Sequence, residues 1–278
     1  MTAIMGIVNV TPDSFSDGGR FLAADAAIAH GRALRAAGAD ILDVGGESTR
    51  PGAERVPPAE EQARVLPVVA ALAADGATVS IDTMNASTAR AAVERGARIV
   101  NDVSGGLGDP DMLAAVAASG ADVVLQHWRG PSADMYARAA YDDLARDLVA
   151  ELEGRWRAAA DAGISPDRVI LDPGIGFGKR GAQNWEALRA LDRVVALGPR
   201  VLVGTSRKRF LAEALAAASA DADPDVSTMR RDLATAVTSV LAAQAGAWAV
   251  RVHDVAATRD ALAVWNRWTG DHDDGGNA

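Results

Sequence analysis

The sequence predicts an α/β protein, a single (β/α)8 barrel with its active site at the C-terminal ends of the strands. Three observations predict it. Eight short runs rich in Val, Ile and Leu show little alternation, as strands buried on both faces do. Ala- and Leu-rich stretches at helical spacing separate them, the mark of a parallel sheet with helices outside. The chain has 278 residues, and a closed barrel of eight such units takes roughly 250.

Taken in order, Ile4–Val10 is the first strand and Ala23–Ala37 its helix. Ile41–Val44 precedes Ala59–Ala74, Thr78–Ile81 precedes Ala86–Arg95, and Arg98–Val100 precedes Asp111–Ala118. Val123–Leu125 leads to a helix over Tyr141–Ala162, and Val169–Leu171 to one over Gln183–Ala196. Val201–Val203 is followed by helices at Lys208–Ala218 and Arg230–Ala245, and Ala249–Val252 by Ala256–Trp268. Gly38, Gly120, Gly163 and Gly246 stand just past helix ends, where a left-handed φ is needed. Ser219–Val226 is acidic with one Pro and reads as a surface loop. The barrel is expected over residues 1–268, with residues 269–278 a polar, Gly-rich tail expected to be disordered.

Composition narrows the function. Hydrophobic residues are 49% and charged residues 23%, which excludes a disordered chain. The absence of cysteine excludes disulfides, thiolate metal sites and cysteine nucleophiles. A net charge of −9 argues against nucleic-acid binding. No basic segment precedes an apolar stretch at the N-terminus, and no apolar run approaches the ~18 residues of a membrane helix. A cytoplasmic protein is expected.

The strand ends carry the chemistry. They close on Asn9, Asp43 to Glu47, Asp82, Asn101-Asp102, Gln126-His127, Asp172, Ser206 to Lys208, and Arg251 to Asp254. In a parallel barrel all of these share one face. Polar residues after single strands often only cap the next helix, and Asp82 with Thr83 and Asn85 could do so. Eight strand ends mixing carboxylates, amides and cations point instead to a polar, partly anionic ligand. A buried carboxylate such as Asp172 is costly unless it meets a matching donor edge, and a guanidine-like heterocycle supplies one. Asp82 and Asn101 stand on neighbouring strands. Ser206-Arg207-Lys208-Arg209 places three cations at a helix start, against the dipole, which a bound anion would relieve. Arg251 and His253 alternate, so both face one way. With Asn9 they could hold a phosphate group and a divalent cation. Three Gly-rich loops follow strands one, two and six, able to close over a substrate. Phe177 in the last could pack on a flat ring.

These segments resemble the dihydropteroate synthases. The resemblance rests on Met5 to Asp17, Asp43 to Gly52, Ser80 to Thr83, Asn101 to Gly105, Asp172 to Lys179, Gly204 to Lys208, and Arg251 to His253. Seven ordered motifs span nearly the whole chain. The resemblance implies a (β/α)8 barrel, usually a homodimer, that condenses a dihydropterin bearing a hydroxymethyl diphosphate with p-aminobenzoate. The products are dihydropteroate and pyrophosphate, and Mg²⁺ assists. It implies that Asp82, Asn101, Asp172 and Lys208 form the pterin pocket, lined by Gly204 and Phe177. Asn9 would contact the metal, and Thr49, Arg251 and His253 the diphosphate. Thr11, Pro12, Arg50 and Pro51, with Ser206 and Phe177, would form the p-aminobenzoate side. Asp82, Lys208, Arg251 and His253 are the expected catalytic residues. One departure stands out: Gln126 occupies a position where the family usually carries Met, and altered pterin affinity is expected there.

Two other readings compete. Pterin-binding methyltransferase domains share the barrel, but they would lack the Thr-Pro-Asp-Ser-Phe-Ser loop and the Ser-Arg-Lys and Arg-x-His sets. A non-catalytic pterin-binding paralogue would be expected to have lost residues from the first two loops, and both look intact.

Overall fold

A computed structural model describes residues 1–10, 20–48, 52, 55–131, 136–218 and 226–270. Eight parallel strands close into a barrel in sequence order, the last pairing with the first. They are β1 (Ala3–Asn9), β2 (Ile41–Gly45), β3 (Thr78–Asp82), β4 (Ile99–Asp102), β5 (Asp122–Gln126), β6 (Val169–Asp172), β7 (Arg200–Val203) and β8 (Ala249–Val252). The helices are α1 (Arg20–Ala36), α2 (Pro58–Ala74), α3 (Ala86–Glu94), α4 (Met112–Ser119), α5 (Leu144–Asp161), α6 (Ala182–Arg189), α7 (Leu191–Val195), α8 (Arg209–Ala217), α9 (Thr228–Gln244) and α10 (Val255–Thr269).

The differences from the expected boundaries have local causes. α5 starts after Tyr141 because the Asp143 carboxylate accepts from Arg146 N at 3.0 Å and caps the helix there. The single helix expected over 183–196 is two, α6 and α7. Ala190 N is shared between Glu186 O and Ala187 O, both at 3.2 Å, and the turn tightens. α10 runs to Thr269, the first residue assigned to the tail, and stops where Gly270 takes φ 76°. Residues 271–278 lie outside the described residues, as does the loop over 219–225. Val226, read as part of that loop, is buried. The four glycines expected past helix ends all have positive φ.

Two apolar layers hold the barrel. The outer one packs strand residues such as Val44, Ile81, Val100 and Leu125 against helix residues such as Leu34, Val65, Leu72 and Leu148. The inner one is a small plug of Met5, Ile41, Ile99, Val124, Ile170, Leu202 and Ala249. Side chains two apart on a strand share a face. The plug therefore fixes which residues point inward all the way to the C-terminal ends.

Candidate active site

Two residues beyond Ile41, Ile99, Val124, Ile170, Leu202 and Ala249 come Asp43, Asn101, Gln126, Asp172, Gly204 and Arg251. β3 adds Asp82, level with Gly45 on one side and Asn101 on the other. β1 ends on Asn9, which is exposed. A polar layer thus lies directly on an apolar floor.

Arg251 is the hub of that layer. Its Nε donates to Asp43 Oδ2 at 2.6 Å and its Nη2 to Asp82 Oδ2 at 2.8 Å. Asn101 Nδ2 donates to the same Asp43 oxygen at 3.0 Å. The other Asp43 oxygen, Oδ1, is buried without a hydrogen-bond partner. Burial above all, and then Asp43 nearby, pushes the Asp82 carboxyl up to about 7, although Arg251 pulls it down. Burial works against the Arg251 charge, yet Asp43 and Asp82 together hold its pKa above the ordinary value. Two carboxylates share one guanidinium, so this corner favours a ligand able to carry positive charge.

Across the mouth, Asp172 Oδ1 accepts from Gly174 N at 2.7 Å. Burial raises its pKa, opposed chiefly by Lys208. Lys208 reaches back into the site, where Nζ donates to Ile175 O and lies 4.9 Å from the centroid of the Phe177 ring. Burial lowers its pKa to about 8. The turn after β6 can approach β5 closely only through Gly174, whose φ is 62° and where a Cβ would sit 2.2 Å from His127 O. Gln126 is buried, and its Nε2 donates to Val103 O at 3.2 Å, so the amide donor is met by the turn after β4.

Comparison with known proteins agrees with this geometry. The family described as pterin binding enzyme matches residues 5–253. The chain belongs to that family. Dihydropteroate synthase from Mycobacterium leprae is 52% identical over 266 residues, 95% of this chain and 93% of that protein. The dihydropteroate synthase of Xanthomonas albilineans, solved with 4-aminobenzoic acid, superposes with a TM-score of 0.87. It is 46% identical, over 96% of this chain and 93% of that one. The same enzyme solved with 7,8-dihydropteroate gives 0.83 at 43% identity, over 96% and 94% of the two chains.

Within this pterin-binding barrel, the residues expected to work together divide. Asp82, Asn101, Asp172, Lys208, Arg251, Gly204 and Gln126 meet at the mouth. Asp82 does not cap α3: the free N–H of Ala86 is taken by Asp109 Oδ2 at 2.8 Å. The three cations expected to surround an anion do not converge. Arg207, with φ 56°, turns away to Asp232, at 2.7 and 2.9 Å. Arg209 pairs with Glu213 on the outside of α8, at 2.8 Å. Only Lys208 faces the mouth. His253 lies just past β8, which ends at Val252, and pairs with Ser206. Ser206 Oγ accepts from His253 N at 3.1 Å and lies 2.8 Å from His253 Nδ1. Thr11, Pro12, Thr49, Arg50 and Pro51 lie outside the described residues.

Sequence reasoning did not single out Asp43, which holds Arg251 and Asn101 in place. The signal was present: Ile41-x-Asp43 repeats the spacing of Ile99-x-Asn101 and Ile170-x-Asp172. It also passed over His127, Lys179 and Glu151, which meet behind the turn after β6.

Proposed function

We infer that the chain acts as a dihydropteroate synthase. The observation that carries this is the pair of Asp172 and Lys208 beside Asn101 and Phe177, set on an apolar floor. Asp172 is buried, with the Gly174 amide on one oxygen and the charges of Lys208, Lys179 and Arg251 opposing the cost of burial. A heterocycle edge with a ring N–H and an exocyclic amine meets such a group bidentately. Phe177 supplies a face for the ring.

In the reaction, the arylamine nitrogen of p-aminobenzoate bonds to the methylene carbon of the dihydropterin. The C–O bond to the diphosphate breaks, pyrophosphate leaves with the electron pair, and the amine loses a proton. Asp43 and Asp82 against Arg251 leave negative charge near the ring, which favours positive charge developing on the methylene carbon. Cleavage of the C–O bond ahead of attack fits that arrangement, and a secondary deuterium isotope effect near unity at that carbon would count against it. His253, held beside Ser206 just past the end of β8, is assigned to the diphosphate on the resemblance. Thr11, Pro12, Thr49, Arg50 and Pro51 are assigned to the diphosphate and p-aminobenzoate sides on the resemblance alone.

Asn9 suits Mg²⁺ in one respect: it is an exposed, neutral, hard oxygen donor at the mouth. Mg²⁺ keeps most of its waters and is bound through few protein oxygens together with substrate phosphates. When bound there it would offset negative charge on the diphosphate. The Gln126 amide, turned to Val103, replaces a flexible apolar surface with a polar one, and Gln126→Met is expected to change the pterin KM.

A homodimer is the proposed assembly, formed through α9 and α10. Met229, Leu233, Val237 and Leu241 recur every four residues along α9 and are exposed, beside Val264 and Trp268 on α10. A stripe of this size on a monomer would be unusual. Sedimentation equilibrium showing a monomer at micromolar concentration would refute it. Among the described residues no helix is long and apolar enough to cross a membrane. A cytoplasmic location is proposed, which cell fractionation tests.

The deciding experiment is pyrophosphate release from dihydropterin diphosphate and Mg²⁺, with and without p-aminobenzoate. Release that depends on p-aminobenzoate, with equimolar dihydropteroate, is expected. No release from protein that still binds the pterin would favour the non-catalytic paralogue.

A further inference from the structure

Behind the turn after β6 lies a buried lysine that the inferred reaction does not use, its pKa lowered by burial to about 7. Lys179 is among the largest fully buried side chains, at 1% exposure. Its Nζ lies 3.0 Å from Gly174 O, 3.2 Å from Phe177 O and 2.9 Å from His127 Nδ1. Two carbonyls and one ring nitrogen thus lie within hydrogen-bonding distance of the amine. Two of them belong to the very turn that Lys179 ends, so the side chain folds back and staples its own loop.

The third partner has a charged neighbour of its own. His127 Nε2 lies 2.9 Å from Glu151 Oε2 on α5. Burial first, then the Lys179 charge, pushes the His127 pKa down to about 4, so the ring is neutral. The ring thus lies between Glu151, which Nε2 approaches without making an aligned hydrogen bond, and Lys179 at Nδ1.

The stapled turn carries much of the site. It begins at Asp172, its Ile175 O accepts from Lys208, and its Phe177 ring lies beside Lys208 Nζ. Lys208 holds it from the mouth and Lys179 from the interior. Such a turn needs holding, because Gly174, Gly176 and Gly178 take φ of 62°, 83° and 59°. Glycine gives up more conformational freedom on ordering than any other residue.

We propose that Lys179 is a positioning residue for pterin binding. Acting through the carbonyls of Gly174 and Phe177, and oriented by His127 and Glu151, it keeps Phe177 and the Asp172 turn in the shape that receives the ring. The proposal rests on the pterin-binding reading above.

The test uses the full chain labelled with 4-fluorophenylalanine. The chain has four phenylalanines, and Phe177→Leu identifies the resonance of Phe177. In Lys179→Met and His127→Leu the pterin KM rises about tenfold with kcat changed much less, as expected for a misplaced binding surface. The Phe177 resonance shifts or broadens in both without ligand. His127→Asn restores an acceptor where Nδ1 stood and stays near wild type in both readouts. An unchanged Phe177 resonance and pterin KM in folded Lys179→Met overturns the proposal. So does equal impairment of His127→Asn and His127→Leu. If Lys179→Met fails to fold, the two His127 variants decide. A wild-type chain that makes no dihydropteroate would refute the synthase reading, whereas the fluorine comparison tests the staple without turnover.

Discussion

Two layers inside one barrel, two residues apart on the same strands, have opposite chemistry. The floor of Met5, Ile41, Ile99, Val124, Ile170, Leu202 and Ala249 is apolar and buried. The layer above it places Asp43, Asp82 and Asp172 in burial almost as deep. Burying a carboxylate is unfavourable unless a partner offsets it. The mouth therefore cannot be there for stability, and the floor cannot be there for chemistry. The contrast teaches that fold and function are separated along the strand axis, with one side-chain step between them.

The largest effect should come from removing the hub. Arg251→Met leaves Asp43 and Asp82 facing each other without a cation. Breaking a buried ion pair by removing one partner costs about 3–5 kcal/mol. Urea denaturation at pH 8, where Asp82 is mostly ionised, reads this directly. The matched floor substitution, Ile170→Val, should cost about 0.5–1.5 kcal/mol. Equal destabilisation by the two would mean that the carboxylates are not held by Arg251.

A second comparison lies on one strand. Asp172→Asn keeps an oxygen for the Gly174 amide but loses the charge. A hydrogen bond to a charged group contributes about 1.5–3 kcal/mol, so kcat/KM for the pterin should fall on the order of 10- to 100-fold. Stability should hold or rise, because burial already opposes the Asp172 charge. Ile170→Val, two residues earlier, should do the reverse: lose a little stability and leave the pterin KM alone. Steady-state kinetics beside thermal melts would separate them, and a stability loss in Asp172→Asn would blur the two layers into one.

How much of this the sequence alone shows follows from the same separation. The strands, the closed barrel and the polar set at the mouth were legible, because short unbroken apolar runs and Gly stops are local signals. So were Asp172, Asn101 and Lys208. Partner choice was not. Nothing in Ser206-Arg207-Lys208-Arg209 says that Arg207 turns to Asp232, 25 residues later in the chain. Arg251 and Asp43 are 208 residues apart, and only barrel closure brings them together. Lys179 ends a Gly-rich loop, and nothing in its local sequence signals burial. Its burial depends on α5 and on the end of β5, both remote from it.

The smallest effect sharpens the contrast through pH. The Asp82 carboxyl stands at about 7 in the folded protein, against an ordinary value near 3.9 in the unfolded chain. Between those values the folded state holds a proton that the unfolded state has released. Stability therefore falls as pH rises through that window. Asp82→Asn removes the titration, so its stability relative to wild type should improve from pH 5 to pH 8, whatever the constant offset from losing the Arg251 ion pair. Urea midpoints at the two pH values give the difference. Ile170→Val on the floor carries no titratable group, and its offset from wild type should be the same at both. A flat Asp82→Asn offset would mean that Arg251 outweighs burial at Asp82 and that the carboxylate is ionised throughout.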